Sequence, residues 1–78
     1  MEQNLQNKLY KHAKTFSKNL KFERESRKLT QKVMADKIGI KTQSYQAYES
    51  GISLPSSENL LKIAIIFELS IDELFDIK

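Results

Sequence analysis

Residues 29–51, LTQKVMADKIGIKTQSYQAYESG, hold two short amphipathic helical patterns joined by a tight turn. In the first, Thr30 stands where a cap is needed and Gln31 opens the helix. Met34, Ala35 and Ile38 then recur at the three- and four-residue steps that keep side chains on one face. That face has to be buried. Gly39 ends the pattern, because glycine enters a left-handed backbone without a Cβ clash, and Ile40 returns an apolar side chain to the core. Tyr45 and Tyr48 resume the apolar stripe and leave Thr42, Gln43, Ser44, Gln46 and Ala47 facing outward.

Upstream of this stretch, Leu5, Leu9, Ala13, Phe16 and Leu20 step by four or three with no glycine or proline among them, which predicts one extended first helix over about 5–27. Downstream, Ser50-Gly51-Ile52-Ser53-Leu54-Pro55 reads as a turn, since Gly51 suits the position past a helix end and Pro55 biases Leu54 away from helical geometry. A fourth helix is expected after Ser56 or Ser57, with Leu60, Ile63, Ala64 and Phe67 as its buried face. A fifth is expected from Ser70, where Ser70-Ile71-Asp72-Glu73 fits a capping box and the two acids meet the positive end of the helix dipole. Leu74, Phe75 and Ile77 would close the core. The expected architecture is all-α and compact, with five helices and an extended N-terminal first helix. Residues 1–15 form a helical extension and residues 16–78 the domain proper.

Composition agrees. A chain of 78 residues makes one small domain, and without cysteine it has neither a disulfide framework nor a thiolate metal site. Its net charge of +3 hides an asymmetry: through Ser53 there are 11 Lys and Arg against 5 acids, and from Leu54 onward 2 against 5. A cationic half carrying the 29–51 pattern is what a phosphate-facing surface requires. No apolar run is long enough to cross a bilayer, and MEQNLQNKLYKHAK lacks the apolar core of a signal peptide, so a cytoplasmic protein is expected. Nothing points to an enzyme. His12 is the single histidine and has no acidic neighbour in sequence, while Asp72, Glu73 and Asp76 have the spacing of an acidic helix start. No metal or other cofactor is expected.

Taken together, Leu29-Thr30-Gln31, Met34-Ala35, Gly39, Tyr48-Glu49-Ser50-Gly51, Pro55-Ser56, Leu60 with Ile63-Ala64, and Ser70-Ile71-Asp72-Glu73-Leu74 resemble the DNA-binding domain of the Cro/C1-type (XRE-family) repressors. The resemblance covers about residues 20–75. It implies a lambda-repressor-like helix-turn-helix fold and double-stranded DNA as the partner, with the third helix in the major groove and Thr42, Gln43, Ser44, Gln46 and Ala47 on base edges. Gln43 is the leading candidate, because its amide donates and accepts at once and so suits the N6 and N7 edge of adenine. Thr42 and Ala47 offer apolar contact to a thymine methyl. Gln31 holds the family position where a side chain and the N–H groups of a helix start grip a phosphate. Lys21, Arg27, Lys32 and Lys41 are accessory phosphate candidates, and backbone N–H groups around Gly51 are expected to add to them. Arg24 and Glu49 match the pair that ties the first helix to the end of the third by a buried bidentate salt bridge, so their implied role is structural.

Departures from the family pattern individualise the chain. Lys28 and Glu68 stand where glycine often follows a helix, and Glu23 where an apolar residue is usual. Lys41 replaces a Ser or Thr cap, at a cost of about 1 kcal/mol of capping, while adding a cation. Phe22, Val33, Ile65 and Ile66 are apolar where relatives are polar. Leu61, Ile65 and Leu69 read as a second stripe on the fourth helix and, with Ile66, mark an expected partner surface. The lead-in helix could cover that surface through Leu5, Leu9 and Phe16, a second copy could, or both could together, with the second copy favoured. The function implied is a transcriptional regulator, a repressor acting as a homodimer on a palindromic operator. The competing reading is an antitoxin-like or anti-repressor module that binds another protein.

Overall fold

The computed structural model describes residues 2–77, with side chains from Asn4 onward. Five helices follow one another: α1 Glu2–Ser26, α2 Gln31–Ile38, α3 Thr42–Ser50, α4 Ser57–Phe67 and α5 Ile71–Phe75. At 1.5 Å per residue the 25 residues of α1 run about 37 Å, close to the 40 Å long axis of the molecule.

Local chemistry sets the helix starts. The Thr30 hydroxyl accepts from the Val33 N–H at 3.1 Å, and the Ser56 hydroxyl accepts from that of Asn59 at 3.2 Å. Ser70 and Glu73 form the expected reciprocal box, at 3.0 and 2.9 Å. Lys41 precedes α3 and supplies no side-chain cap. The ends are set by left-handed residues. Gly39 and Gly51 take φ of 89° and 83°, where glycine meets no Cβ penalty. Lys28, Glu68 and Asp76 adopt the same conformation with φ of 57°, 56° and 54° despite carrying a Cβ.

Phe16 and Leu20 of α1, Met34, Ala35 and Ile38 of α2, Tyr45 and Tyr48 of α3, Ile63, Ala64 and Phe67 of α4, and Leu74 of α5 make one continuous core. Leu60 and Ile40 pack against its edge, and the Phe75 ring stacks on Phe16 with centroids 4.8 Å apart. α1 packs on α3 and α5, α2 on α3 and α4, and α4 on α5.

Three expectations fail here. Leu5 and Leu9 are 67% and 51% exposed, because the first part of α1 projects past the elements it would have to cover. Ile77 lies beyond the last helix and is exposed. Leu69 is not on α4, which ends at Phe67. The left-handed turn at Glu68 rotates Leu69 inward, where it packs against the core.

Side chains from other elements close the carbonyl ends of α2 to α5. Lys62 donates to Ile38 O at 3.1 Å, Ser17 to Tyr48 O at 2.9 Å, Arg27 to Phe67 O at 2.8 Å and Asn19 to Leu74 O at 2.9 Å. Helix ends leave such carbonyls without partners in their own helix. Sequence periodicity gives no sign of these pairings, since each depends on where two helices meet. No helix among the described residues is long and apolar enough to cross a membrane.

Candidate nucleic-acid interface

The outer face of α3 follows from what its inner face buries. Tyr45 is fully buried and Tyr48 nearly so, and their rings meet edge to face at 6.2 Å, which fixes the rotation of the helix about its axis. Gln43, Ser44 and Gln46 therefore point to solvent, with Thr42 and Ala47 half-buried at the margins. Beside them lies an open depression of about 360 Å³ lined by Lys21, Gln31, Gln46, Glu49 and Ser50.

Glu49 lines that depression and is the most heavily bonded side chain among the described residues. Its carboxylate accepts from Arg24 Nε at 2.6 Å and Nη2 at 3.1 Å, from Gln31 Nε2 at 3.0 Å and from the Tyr45 hydroxyl at 2.5 Å. Arg24 also donates to Leu29 O at 2.7 Å, so one guanidinium joins α1, the α1–α2 loop and α3. Burial alone would push the Glu49 carboxyl up, but the bonds donated by Arg24, Tyr45 and Gln31 outweigh it and hold the group below the usual carboxylate range. The hydrogen bond to Glu49 raises Arg24 against the opposing effect of burial. Burial, reinforced by the bond to Glu49, pushes the Tyr45 phenol well above its ordinary value.

The phosphate candidates divide. Lys21 lines the depression, and Lys41 stands exposed directly before α3. Lys32 is exposed near the start of α2 and is lightly paired with Asp36 at 3.1 Å. Gln31 sits half-buried between Glu49 and Gln46. Arg27 does not join this group. Its guanidinium lies over the Phe67 ring at 4.6 Å, bonds Phe67 O, and pairs with Glu23 at 2.7 Å, which turns it toward the end of α4. Gly51 departs from expectation as well: its N–H and those of Ile52 and Ser53 all converge on Ala47 O, the last two at 3.0 and 3.3 Å. They cap α3 rather than face outward.

A helix-turn-helix family model matches residues 20–74, which takes in α2, α3 and the elements that brace them. The chain belongs to the Cro/C1-type helix-turn-helix family. One relative of this helix-turn-helix domain is the cryptic phage CTXphi transcriptional repressor RstR of Vibrio cholerae serotype O1. It is 62% identical over 45 residues, covering 58% of this chain and 40% of that protein. Another is the uncharacterized HTH-type transcriptional regulator YqaE of Bacillus subtilis, 48% identical over 59 residues, covering 76% of this chain and 51% of that protein. The domain thus spans about half or less of the length of the curated relatives it matches. No solved structure gives a significant match.

Within this helix-turn-helix domain the apolar surplus is smaller than the sequence indicated. Leu61 and Ile65 are exposed on the outer face of α4, at 56% and 74%. Ile66 and Leu69 are half-buried against the core. Several residues that hold the interface in place carried no sequence signal of that role. Ser17 secures the end of α3 from α1, and Asn59 Nδ2 donates to the Tyr48 hydroxyl at 3.1 Å, fixing the far end of α3 from α4.

Proposed function

We propose that this domain binds specific double-stranded DNA as a transcriptional repressor, acting as a homodimer on a palindromic operator. One observation carries the reading: α3 buries both tyrosines and turns Gln43, Ser44 and Gln46 outward, with Lys21 lining the same depression as Gln46 and Lys41 exposed directly before the helix. A helix with that division inserts its polar face into the major groove while the flanking cations neutralise phosphates. The N-terminus of α2, with the N–H groups of Gln31 and Lys32 at its mouth, adds an electropositive helix end that suits a phosphate. Leu61 and Ile65 supply the surface through which two copies pair. A two-fold pair would then address half-sites about 34 Å apart.

A mobility shift against genomic and random duplexes tests this. Retardation should weaken steeply with salt, the logarithm of the binding constant falling by about 0.9 per decade of salt for each phosphate neutralised. Selected genomic fragments should share an inverted repeat. Absence of salt-dependent retardation at low salt would sink the proposal and leave Leu61 and Ile65 as a surface for a protein partner.

A further inference from the structure

Between Gln3 and Phe22 the chain carries five lysines and no Asp or Glu. Four of them, Lys11, Lys14, Lys18 and Lys21, recur at three- and four-residue steps and are exposed, so they form a ridge along one face of α1. From Lys11 to Lys21 the ridge follows about 15 Å of helix axis. Other helical cations of this chain are tied to an acid one turn away: Arg27 to Glu23, Lys32 to Asp36 and Lys62 to Glu58. Among the described residues the ridge lysines have no such partner. Like charges one turn apart disfavour a helix, and a polyanion laid along the ridge would remove that cost.

The ridge is continuous with the candidate interface. Lys21, at its end, lines the depression together with Gln46 and Ser50 of α3. Lys14 stands two turns earlier on the same face. Its ammonium lies 5.3 Å from the centre of the Tyr10 ring, and Tyr10 borders the groove that α1 forms with the turn after α3, at Gly51 to Leu54. α1 therefore passes the end of α3 with this side of the ridge beside the interface. Lys11, Lys14 and Lys18 all precede residues 20–74, the span that the family model matches, so the ridge is an addition to the shared domain. We infer that Lys11, Lys14 and Lys18 form a second electrostatic contact, which holds duplex DNA outside the half-site addressed by α3, through phosphates and without regard to base sequence. The inference rests on the DNA-binding reading above. Lysine ammoniums are compact point charges that suit phosphates, and such contacts position a protein without reading bases. Phosphates of one strand recur about every 3.4 Å along the duplex axis, so a ridge of this length faces about four of them.

Fluorescence anisotropy over a salt series, with the wild type and the triple variant Lys11→Gln/Lys14→Gln/Lys18→Gln, tests the inference. Glutamine keeps the helix propensity of lysine and the three side chains are exposed, so the variant should fold with unchanged helical circular dichroism. The duplex is the site recovered by genomic selection, either trimmed to its edges or carrying a further turn, about 10 base pairs, of arbitrary sequence at each end. On the longer duplex the slope of log K against log salt should be shallower in the triple variant by about 2 to 3, near 0.9 for each lysine removed. Lys14→Gln alone should make it shallower by about 0.9. On the trimmed duplex the wild type and the triple variant should differ by less than about 1. An equal slope for both proteins on the longer duplex would overturn the inference. Equal losses on both duplexes would overturn it too, because they report net charge and not a contact outside the half-site. Unchanged DNA binding with lost retention on phosphatidylserine vesicles would assign the ridge to an anionic membrane surface instead. A wild-type chain that selects no site, or binds no duplex at low salt, would remove the DNA-binding reading itself, and this inference with it.

Discussion

Replacing Glu49 by alanine would leave the Arg24 guanidinium among packed side chains with its main partner gone. Both members of the pair are shielded, with side chains 11% and 4% exposed, so the loss should approach the roughly 3–5 kcal/mol typical of stranding a buried charge. Urea titration of Glu49→Ala should show that fall; a change under 1 kcal/mol would mean the pair is replaceable. The same carboxylate predicts an acid response. Its folded pKa lies below the ordinary 4.5, so as pH falls the unfolded chain takes up the proton first. The stabilisation is complete above about pH 5 and drains away as pH drops through the folded value. Tyr45 works in the opposite direction: its folded pKa is raised above 10.0, so its contribution is complete below pH 10 and lost as pH rises further. Stability of the wild type and Glu49→Gln followed from pH 7 to pH 3 should give curves that converge in acid. Parallel curves would locate the acid sensitivity elsewhere. The Arg24–Glu49 pairing was legible through the family resemblance. The further donors on Glu49, from Tyr45 and Gln31, were not, because they exist only once α2 and α3 close on each other.

Helix starts in this chain announce themselves, since a cap is a local bond between residues three apart: Thr30 and Ser70 were readable on that basis, and the choice left open between Ser56 and Ser57 falls to Ser56. Helix ends were harder. A four-residue step from Ile65 reaches Leu69 only if the helix continues, and the left-handed turn at Glu68 breaks that arithmetic. Counting residues cannot reveal a backbone reversal at a non-glycine residue. Gly51 failed for a related reason: the sequence marks a helix end there but not that Ala47 O gathers the N–H groups that follow. Lys28 and Glu68 carry side chains where the backbone is left-handed, at a cost of about 1–2 kcal/mol each, against which glycine loses about 0.5–1 kcal/mol in chain entropy. Lys28→Gly and Glu68→Gly should therefore each stabilise by about half a kcal/mol and raise Tm by a few degrees, measured by thermal denaturation. A lowered Tm in both would show that other contacts of these side chains outweigh the strain.

At the scale of the molecule, charge and apolar exposure are separated. The cationic half holds α2 and α3, while the acidic half holds α4 with Leu61 and Ile65 on its free face. Ile65→Glu places a charge on a residue that is 74% exposed, so the fold should persist while the self-association proposed above weakens roughly tenfold or more. Sedimentation equilibrium checks this, and an unchanged association constant would move the dimer contact elsewhere. The overall helical order and the core were legible because apolar spacing within each helix reports burial directly. The exposed start of α1 was not, since Leu5 and Leu9 keep the spacing of a buried face while staying 67% and 51% exposed. A last consequence concerns the donors that close the helix ends. Ser17, Asn19 and Arg27 all belong to or directly follow α1, yet they secure α3, α5 and α4 in turn. Detaching that one segment would release three helix ends together, so these helices should not fray independently. Amide hydrogen exchange under native conditions should find α3, α4 and α5 opening as a single cooperative unit with a shared free energy, so that the rigidity of α3 is set from a segment outside the helix-turn-helix pair itself.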